Sequence, residues 1–268
     1  RRPVALRRPA SGRSLCGVVS SRPVPMLPRL SASRILRRDR RGGSSPVIVE
    51  TSQGLFLLKL RGAAQGPAVL VAEVIVAALA DFLGLAVPRR AIVYLAPDTP
   101  SEDANDELAD LLRASWGDNL GFAYLDRAHP VHPLDLGFLD PDWATQVRWL
   151  DWLVMNPDRT PSSPNLLAHG RRGWLIDHGA ALPFHYDWSA VTEQMPARPE
   201  RPGHLLAPWA TQLAEWDPIL TGQIDRRVLE KAVAEVPDTF LEPLVEAPPS
   251  PERLARRRAA YVAFLWKR

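Results

Sequence analysis

The sequence predicts an α+β chain, strand-rich in its first part and helical in its second, built as one large domain or two small lobes. Three observations predict it. Between Ser45 and Leu95, short β-branched and apolar runs alternate with turn signals. From Asp140 onward, apolar residues recur at helical spacing behind proline-marked helix starts. The chain has 268 residues, 46% apolar and only 24% charged, which suffices to bury a substantial core and excludes disorder throughout.

P-V-I-V-E-T (46–51), the turn Ser52-Gln53-Gly54 and L-F-L-L-K-L (55–60) read as two strands joined by a tight hairpin. A loop from Arg61 to Pro67 leads into a helix over 68–83, which stops at Gly84 with Pro88 behind it. The longest apolar stretch, Ala68 to Val87, is interrupted by Glu73 and Asp81, so it reads as a buried helix and not a membrane span. A-I-V-Y-L (91–95) is the next strand. The acidic stretch Ser101 to Asp110 caps and begins a short surface helix that ends before Gly117. F-A-Y-L (122–125) is extended. Asp140-Pro141 is a strong helix start, with Asp as N-cap and Pro at N1, and Trp143, Val147, Leu150 and Val154 form its buried stripe. Beyond Asn156-Pro157 come a polar loop, a short hairpin, a Pro-rich stretch from Leu182 to Pro208, and helices. The last helix starts at Ser250-Pro251 and carries Leu254, Tyr261 and Leu265 on one stripe. The expected boundaries are a disordered Arg/Pro-rich head over 1–41, a strand-rich part over 42–122 and a helical part over 123–268.

The net charge of +3 hides an uneven distribution. Residues 1–41 hold twelve Arg and one acid, which leaves 21 basic against 29 acidic residues in the remainder. The part that folds is acidic, which argues against nucleic acid as its partner. The first Met is Met26, and residues 1–25 read as an over-extended start; they lack the apolar core of a secretory signal. Cys16 is the single cysteine, so the body has neither a disulfide nor a cysteine-based zinc site, and a cytoplasmic protein is expected. His129 and His132 stand beside prolines and read as loop residues, while the nine Trp read as core. Arg253, Arg256, Arg257 and Arg258 read as the solvated face of the last helix.

The chemistry concentrates in Met155 to Leu182. L-L-A (166–168) and W-L-I (174–176) flank the turn His169 to Gly173, so the hairpin is expected to centre on Arg171 and to set Asn165 opposite Asp177. Asp158 can approach them from the preceding loop. Two carboxylates and an amide oxygen suit Mg²⁺ with retained waters and substrate phosphates, which is equipment for phosphoryl transfer. Such chemistry also needs a cation on the α/β-phosphates and backbone N–H groups over them. Lys59, at the end of an apolar strand, fits the first need, and a buried ammonium demands an anion, Glu73 on the next helix or a nucleotide phosphate.

K-L-R-G-A-A-Q-G (59–66), L-V-A-E (70–73), N-P-D-R-T-P-S-S-P-N-L-L (156–167) and W-L-I-D-H-G-A-A-L (174–182) resemble, in this order, the HipA-like kinases of the protein-kinase-like superfamily. The resemblance covers about residues 30–268. It implies a bilobal protein-kinase-like fold, with a small strand-rich lobe over 42–122 and a larger helical lobe over 123–268, ATP and Mg²⁺ in the cleft, Asp158 as the catalytic base, Asn165 and Asp177 as metal ligands, and Lys59 with Glu73 as the strand-lysine and helix-glutamate pair. A connector near Tyr124 would meet adenine through its backbone. The resemblance also implies a Ser/Thr protein substrate, against the alternatives of a small-molecule phosphotransferase and a non-catalytic nucleotide-binding pseudokinase.

The chain departs from the family pattern at three points. Five residues after Asp158, where the metal-binding Asn is usual, stands Ser163; Asn165 is seven on but directly precedes the apolar strand, and Pro161 and Pro164 accommodate an enlarged loop. The usual D-F-G is Asp177-His178-Gly179, whose His either packs as the Phe does or bonds a phosphate. The phosphate cover is Gly42 to Ser45, with Gly43 and Ser44 as its candidates, or the segment Gly62 to Gly66; neither matches a P-loop.

Overall fold

The computed structural model describes residues 26–38, 46–63, 66–103, 105–197, 202–241 and 250–268. In chain order its elements are β1 (Arg29–Ser31), β2 (Arg34–Arg38), β3 (Val47–Thr51), β4 (Gly54–Lys59), α1 (Pro67–Phe82), β5 (Arg90–Leu95), α2 (Asp106–Arg113), β6 (Gly117–Ala123), β7 (His129–Pro130), α3 (Pro141–Leu153), β8 (Leu166–His169), β9 (Arg172–Leu175), α4 (Leu213–Gln223), α5 (Arg226–Ala234), α6 (Asp238–Leu241) and α7 (Pro251–Lys267). Strands thus predominate in the first half, with α1 and α2 between them, and helices in the second, with the β8–β9 hairpin between them. No helix among the described residues is long and apolar enough to cross a membrane.

The first six strands form one sheet in the order β1-β5-β6-β4-β3-β2, parallel at β1–β5 and antiparallel elsewhere. Alternation along the strands gives it two apolar faces. Val47, Val49, Phe56, Leu58, Ala91, Val93 and Leu95 pack with Leu108 of α2, while Ile92, Leu120 and Phe122 join the core around α1. Nearly the whole circumference of α1 is buried, because it also packs on α5 and α6. This makes it the joint between sheet and helices. The sheet begins earlier than the Arg count suggested, since β1 and β2 lie in the segment assigned to the head. On these short strands the arginines face outward and only Leu30 and Ile35 are buried, so the apolar signal is thin.

Several ends follow local chemistry. Asp140 caps α3 by accepting from the Asp142 N–H at 2.7 Å, and Ser250 caps α7 by accepting from the Arg253 N–H at 3.3 Å. α2 starts later than Ser101, at an Asn105 cap that accepts from Leu108 N–H at 3.1 Å. The expected solvated face of α7 is only partly so. Arg257 lies over the Trp188 ring at 4.9 Å, and Arg258 donates to Val236 O at 2.8 Å and to Asp238 at 2.7 Å.

Behind the D-H-G turn, Phe184 stacks on Phe264, and His185 reaches the Tyr261 hydroxyl through Nδ1 at 3.1 Å. Burial, with Arg257 nearby, pushes the His185 pKa down to about 4. The unfolded chain therefore binds a proton below about pH 6.5 that the folded chain refuses, so stability is lost as pH falls through that value. Thermal melts are expected to drop between pH 7 and pH 5, and to drop less in His185→Gln; equal slopes for the two proteins would contradict this assignment.

Candidate active site

Strand alternation aims Lys59 at α1. Phe56, Leu58 and Leu60 face α2, so Lys59 takes the opposite face, where its ammonium pairs with Glu73 and with Asp177 Oδ1 at 2.6 Å. Lys59 is 6% exposed and Glu73 is fully buried, whereas the Asp177 side chain keeps 40% of its surface. Asp177 is thus the open side of the cluster. Burial works against the Lys59 charge, but Glu73 and then Asp177 outweigh it and hold the ammonium well above the usual lysine range. Burial raises the Glu73 carboxyl against the pull of Lys59; for Asp177 the burial effect is outweighed by Lys59, and its carboxyl is held below the usual range.

Gly179 lets the D-H-G turn lie against α1, since a Cβ there would stand 2.5 Å from Val69 Cγ1. His178 is fully buried, neither ring nitrogen has a hydrogen-bond partner among the described residues, and burial lowers its pKa to about 3. The ring is thus packed inside the protein, and burial disfavours its charged form.

The second group sits on the loop after α3. Met155, at φ 55, turns the chain into Asn156–Asn165. Asp158 Oδ2 accepts from Asn165 Nδ2 at 2.9 Å and from Ser163 Oγ at 3.2 Å. Among the described residues nothing bonds to Asp158 Oδ1. Both residues that compete for the amide position therefore touch Asp158. Reciprocal bonds of Thr160 N–H to Ser163 O (3.0 Å) and Ser163 N–H to Thr160 O (3.1 Å) close a tight turn that absorbs the extra loop length.

Beneath this loop Asp151 of α3 is 1% exposed and accepts from Arg159 Nε and NH2, from Asn156 Nδ2 at 2.9 Å and from His204 Nε2 at 3.0 Å. His204 Nδ1 accepts from Leu206 N–H at 3.1 Å, which assigns the proton to Nε2. Arg159 also donates through NH1 to Asn165 O at 2.6 Å. Burial would raise the Asp151 carboxyl, but Arg159 outweighs it and, with His204, holds it far below the usual range.

The hairpin register differs by one from the expected one. Leu167 faces Trp174 and Ala168 faces Gly173, so the turn is the two residues Gly170 and Arg171, with Gly170 at φ +62. Asn165 consequently lies opposite Ile176, whose N–H donates to Asn165 O at 3.2 Å, and not opposite Asp177. Asn165 (φ 50) and Asp177 (φ 56) both adopt left-handed backbone, which Asn and Asp tolerate better than most residues, and so leave the strand direction. The expected site residues thus form two groups, Lys59–Glu73–Asp177 and Asp158–Ser163–Asn165. No hydrogen bond or ion pair joins their side chains among the described residues. The Tyr124 N–H donates to Leu55 O at 2.9 Å. Gly43 and Ser44 lie outside the described residues.

A family model described as HipA-like kinase matches residues 32–197, well over half the chain. This chain belongs to the HipA-like kinase family. It is therefore a phosphotransferase, and the family implies ATP as its phosphoryl donor. The chain is also similar in structure to a Helicobacter pylori proinflammatory kinase, CtkA, with a TM-score of 0.50 and 11% identity over 90% of this chain and 97% of that one. At that identity the likeness speaks for a kinase-like fold alone. No curated protein matches the chain.

The matched span of this HipA-like kinase contains both side-chain groups but ends before His204. Sequence reasoning missed Asp151, Arg159 and His204. One signal existed: Asp151 follows Val147 by four residues and precedes Val154 by three, so an acid stands within the apolar stripe and needs a buried partner. His204 gave none, since its partner lies 53 residues away in the chain. As for a metal, no three His, Cys, Asp or Glu side chains converge among the described residues. Asn165 Oδ1 and the open side of Asp177 are hard-oxygen donors, a set that fits an ion completing its shell with water and phosphate oxygens.

Proposed function

We propose that this HipA-like kinase moves the γ-phosphate of ATP to a Ser or Thr hydroxyl of a protein. The single observation that carries the reading is the buried meeting of Lys59, Glu73 and Asp177, which come from a strand, a helix and the D-H-G turn. A strand lysine held by a helix glutamate beside the D-H-G aspartate is the arrangement kinases need to grip nucleotide phosphates. Lys59 then takes the α/β-phosphates and Glu73 keeps it aimed. Asn165 and Asp177 hold Mg²⁺, which when bound neutralises charge on the phosphate oxygens. Tyr124 O meets adenine, and Gly43 and Ser44 cover the phosphates.

Asp158 is the base. Its Oδ2 is fixed by Asn165 and Ser163, which leaves Oδ1 to accept the proton of the attacking hydroxyl. The boundary between lobes falls after β6, so that the Tyr124 connector links sheet and helices. Family membership supports a protein acceptor.

The test is stabilisation by ATP with and without Mg²⁺, followed by transfer of labelled γ-phosphate to Ser/Thr peptides, to small alcohols and to aminoglycosides. Peptide labelling is expected. Binding without transfer to any acceptor would favour a pseudokinase, and absence of both would end the reading. Asn165→Ala is expected to raise the Mg²⁺ needed for half-maximal transfer about tenfold or more, and Ser163→Ala to raise it less. The reverse order would move the metal-ligand role to Ser163.

A further inference from the structure

We propose that Asp151, on α3, is a positioning residue for phosphoryl transfer, holding the loop that carries Asp158 and Asn165 without touching ATP or acceptor. The inference rests on the roles just given to those two residues. Three donors converge on one buried carboxylate, and each ties down a different part of the site. Asn156 donates to Asp151 through Nδ2 while its Oδ1 accepts from Asp158 N–H at 3.1 Å, which sets the backbone that aims the Asp158 carboxylate. Arg159 grips Asp151 through Nε and NH2 and donates through NH1 to Asn165 O, which sets the other end of the loop. His204 binds Asp151 while Leu205 N–H donates to Arg159 O at 2.8 Å, so the segment after D-H-G is clamped to the same point. A loop with left-handed non-glycine backbone at Met155 and at Asn165 holds that form only when its surroundings over-determine it, and this network supplies the constraint.

A consequence concerns activation. Kinase segments are commonly ordered when an arginine pairs with a phosphorylated residue. Here the guanidinium of Arg159 is fully buried and all three of its nitrogens are engaged, by Asp151 and by Asn165 O. The Asp151 carboxylate stands where such a phosphate would be needed, and the loop is assembled without one.

The experiment compares the full chain with Asp151→Asn and with the charge-neutral pair Asp151→Asn/Arg159→Gln. The pair leaves no lone buried guanidinium and so guards against simple unfolding. Both folded variants are expected to lose about a hundredfold in kcat with KM for ATP and ATP-dependent thermal stabilisation unchanged, the loss expected of a misplacement of about 1 Å. Phosphatase treatment of the wild type is expected to leave kcat unchanged. A folded double variant that keeps the wild-type kcat, a loss confined to KM, or loss of activity on phosphatase treatment would each overturn the proposal. If Asp158→Asn also transfers at the wild-type rate, the reading of the site has failed and takes this inference with it.

Discussion

Asp158→Asn is expected to lower kcat about a thousandfold while ATP binding and folding are kept. The substitution is nearly isosteric, so the argument turns on hydrogen-bond polarity. In the wild type, Asn165 Nδ2 and Ser163 Oγ both donate to Asp158 Oδ2. An amide at 158 satisfies those donors only by turning its oxygen toward them, which puts its NH₂ where Oδ1 now stands. A group that accepted the proton of the incoming hydroxyl becomes one that donates to it. The loop keeps its shape, because Asn156, Arg159 and Asp151 are untouched. Single-turnover transfer from labelled ATP, beside a thermal-shift titration with ATP, measures the two effects separately. A folded Asp158→Asn protein that transfers at the wild-type rate would remove Asp158 from the chemistry.

How much of this was legible in the sequence depended on how local the cause was. The β3–β4 hairpin, α1, α3 and α7 are marked by a turn, by caps and by apolar spacing within a few residues, and they stand close to where those marks put them. The pairing of Lys59 with Glu73 was legible too, because strand alternation aims Lys59 at the helix that follows, on which Glu73 stands. β1 and β2 were not. Their burial comes from β5 and β3, and β1–β5 is a parallel pairing across some sixty residues that no local pattern announces.

The site itself divides in the same way. Two carboxylates and an amide at the ends of apolar runs were visible as chemistry, but their geometry rests on two-residue turn choice at Gly170-Arg171 and on left-handed backbone at Asn165 and Asp177. A slip of one residue in the register ordinarily reverses every side chain. Here it is confined to the strands, since both residues leave the strand conformation before their side chains are placed. Asp151 shows the remaining gap. An acid in an apolar stripe signals a buried charge, but its partners are chosen by the tertiary fold.

Lys59→Met is expected to abolish stabilisation by ATP and to lower unfolding free energy by about 3–5 kcal/mol, because it breaks a buried ion pair by removing one partner. The cost arises on the Glu73 side. Glu73 is fully buried, and without the ammonium its carboxylate is left with Asp177 as a like-charged neighbour, whereas Asp177 can turn its exposed side to water. Pairing the substitution with Glu73→Met removes the stranded charge, and an apolar pair of similar volume in place of a buried ion pair is commonly neutral or stabilising. The double variant is therefore expected to recover most of the lost stability and none of the ATP binding. Denaturant unfolding and nucleotide-dependent melting of the two variants check this. That contrast separates the two roles of the pair: stability needs only that no charge be left alone at the joint between α1 and the sheet, while nucleotide binding needs the cation. Recovery of ATP binding in the double variant would show that Lys59 serves the fold and not the phosphates.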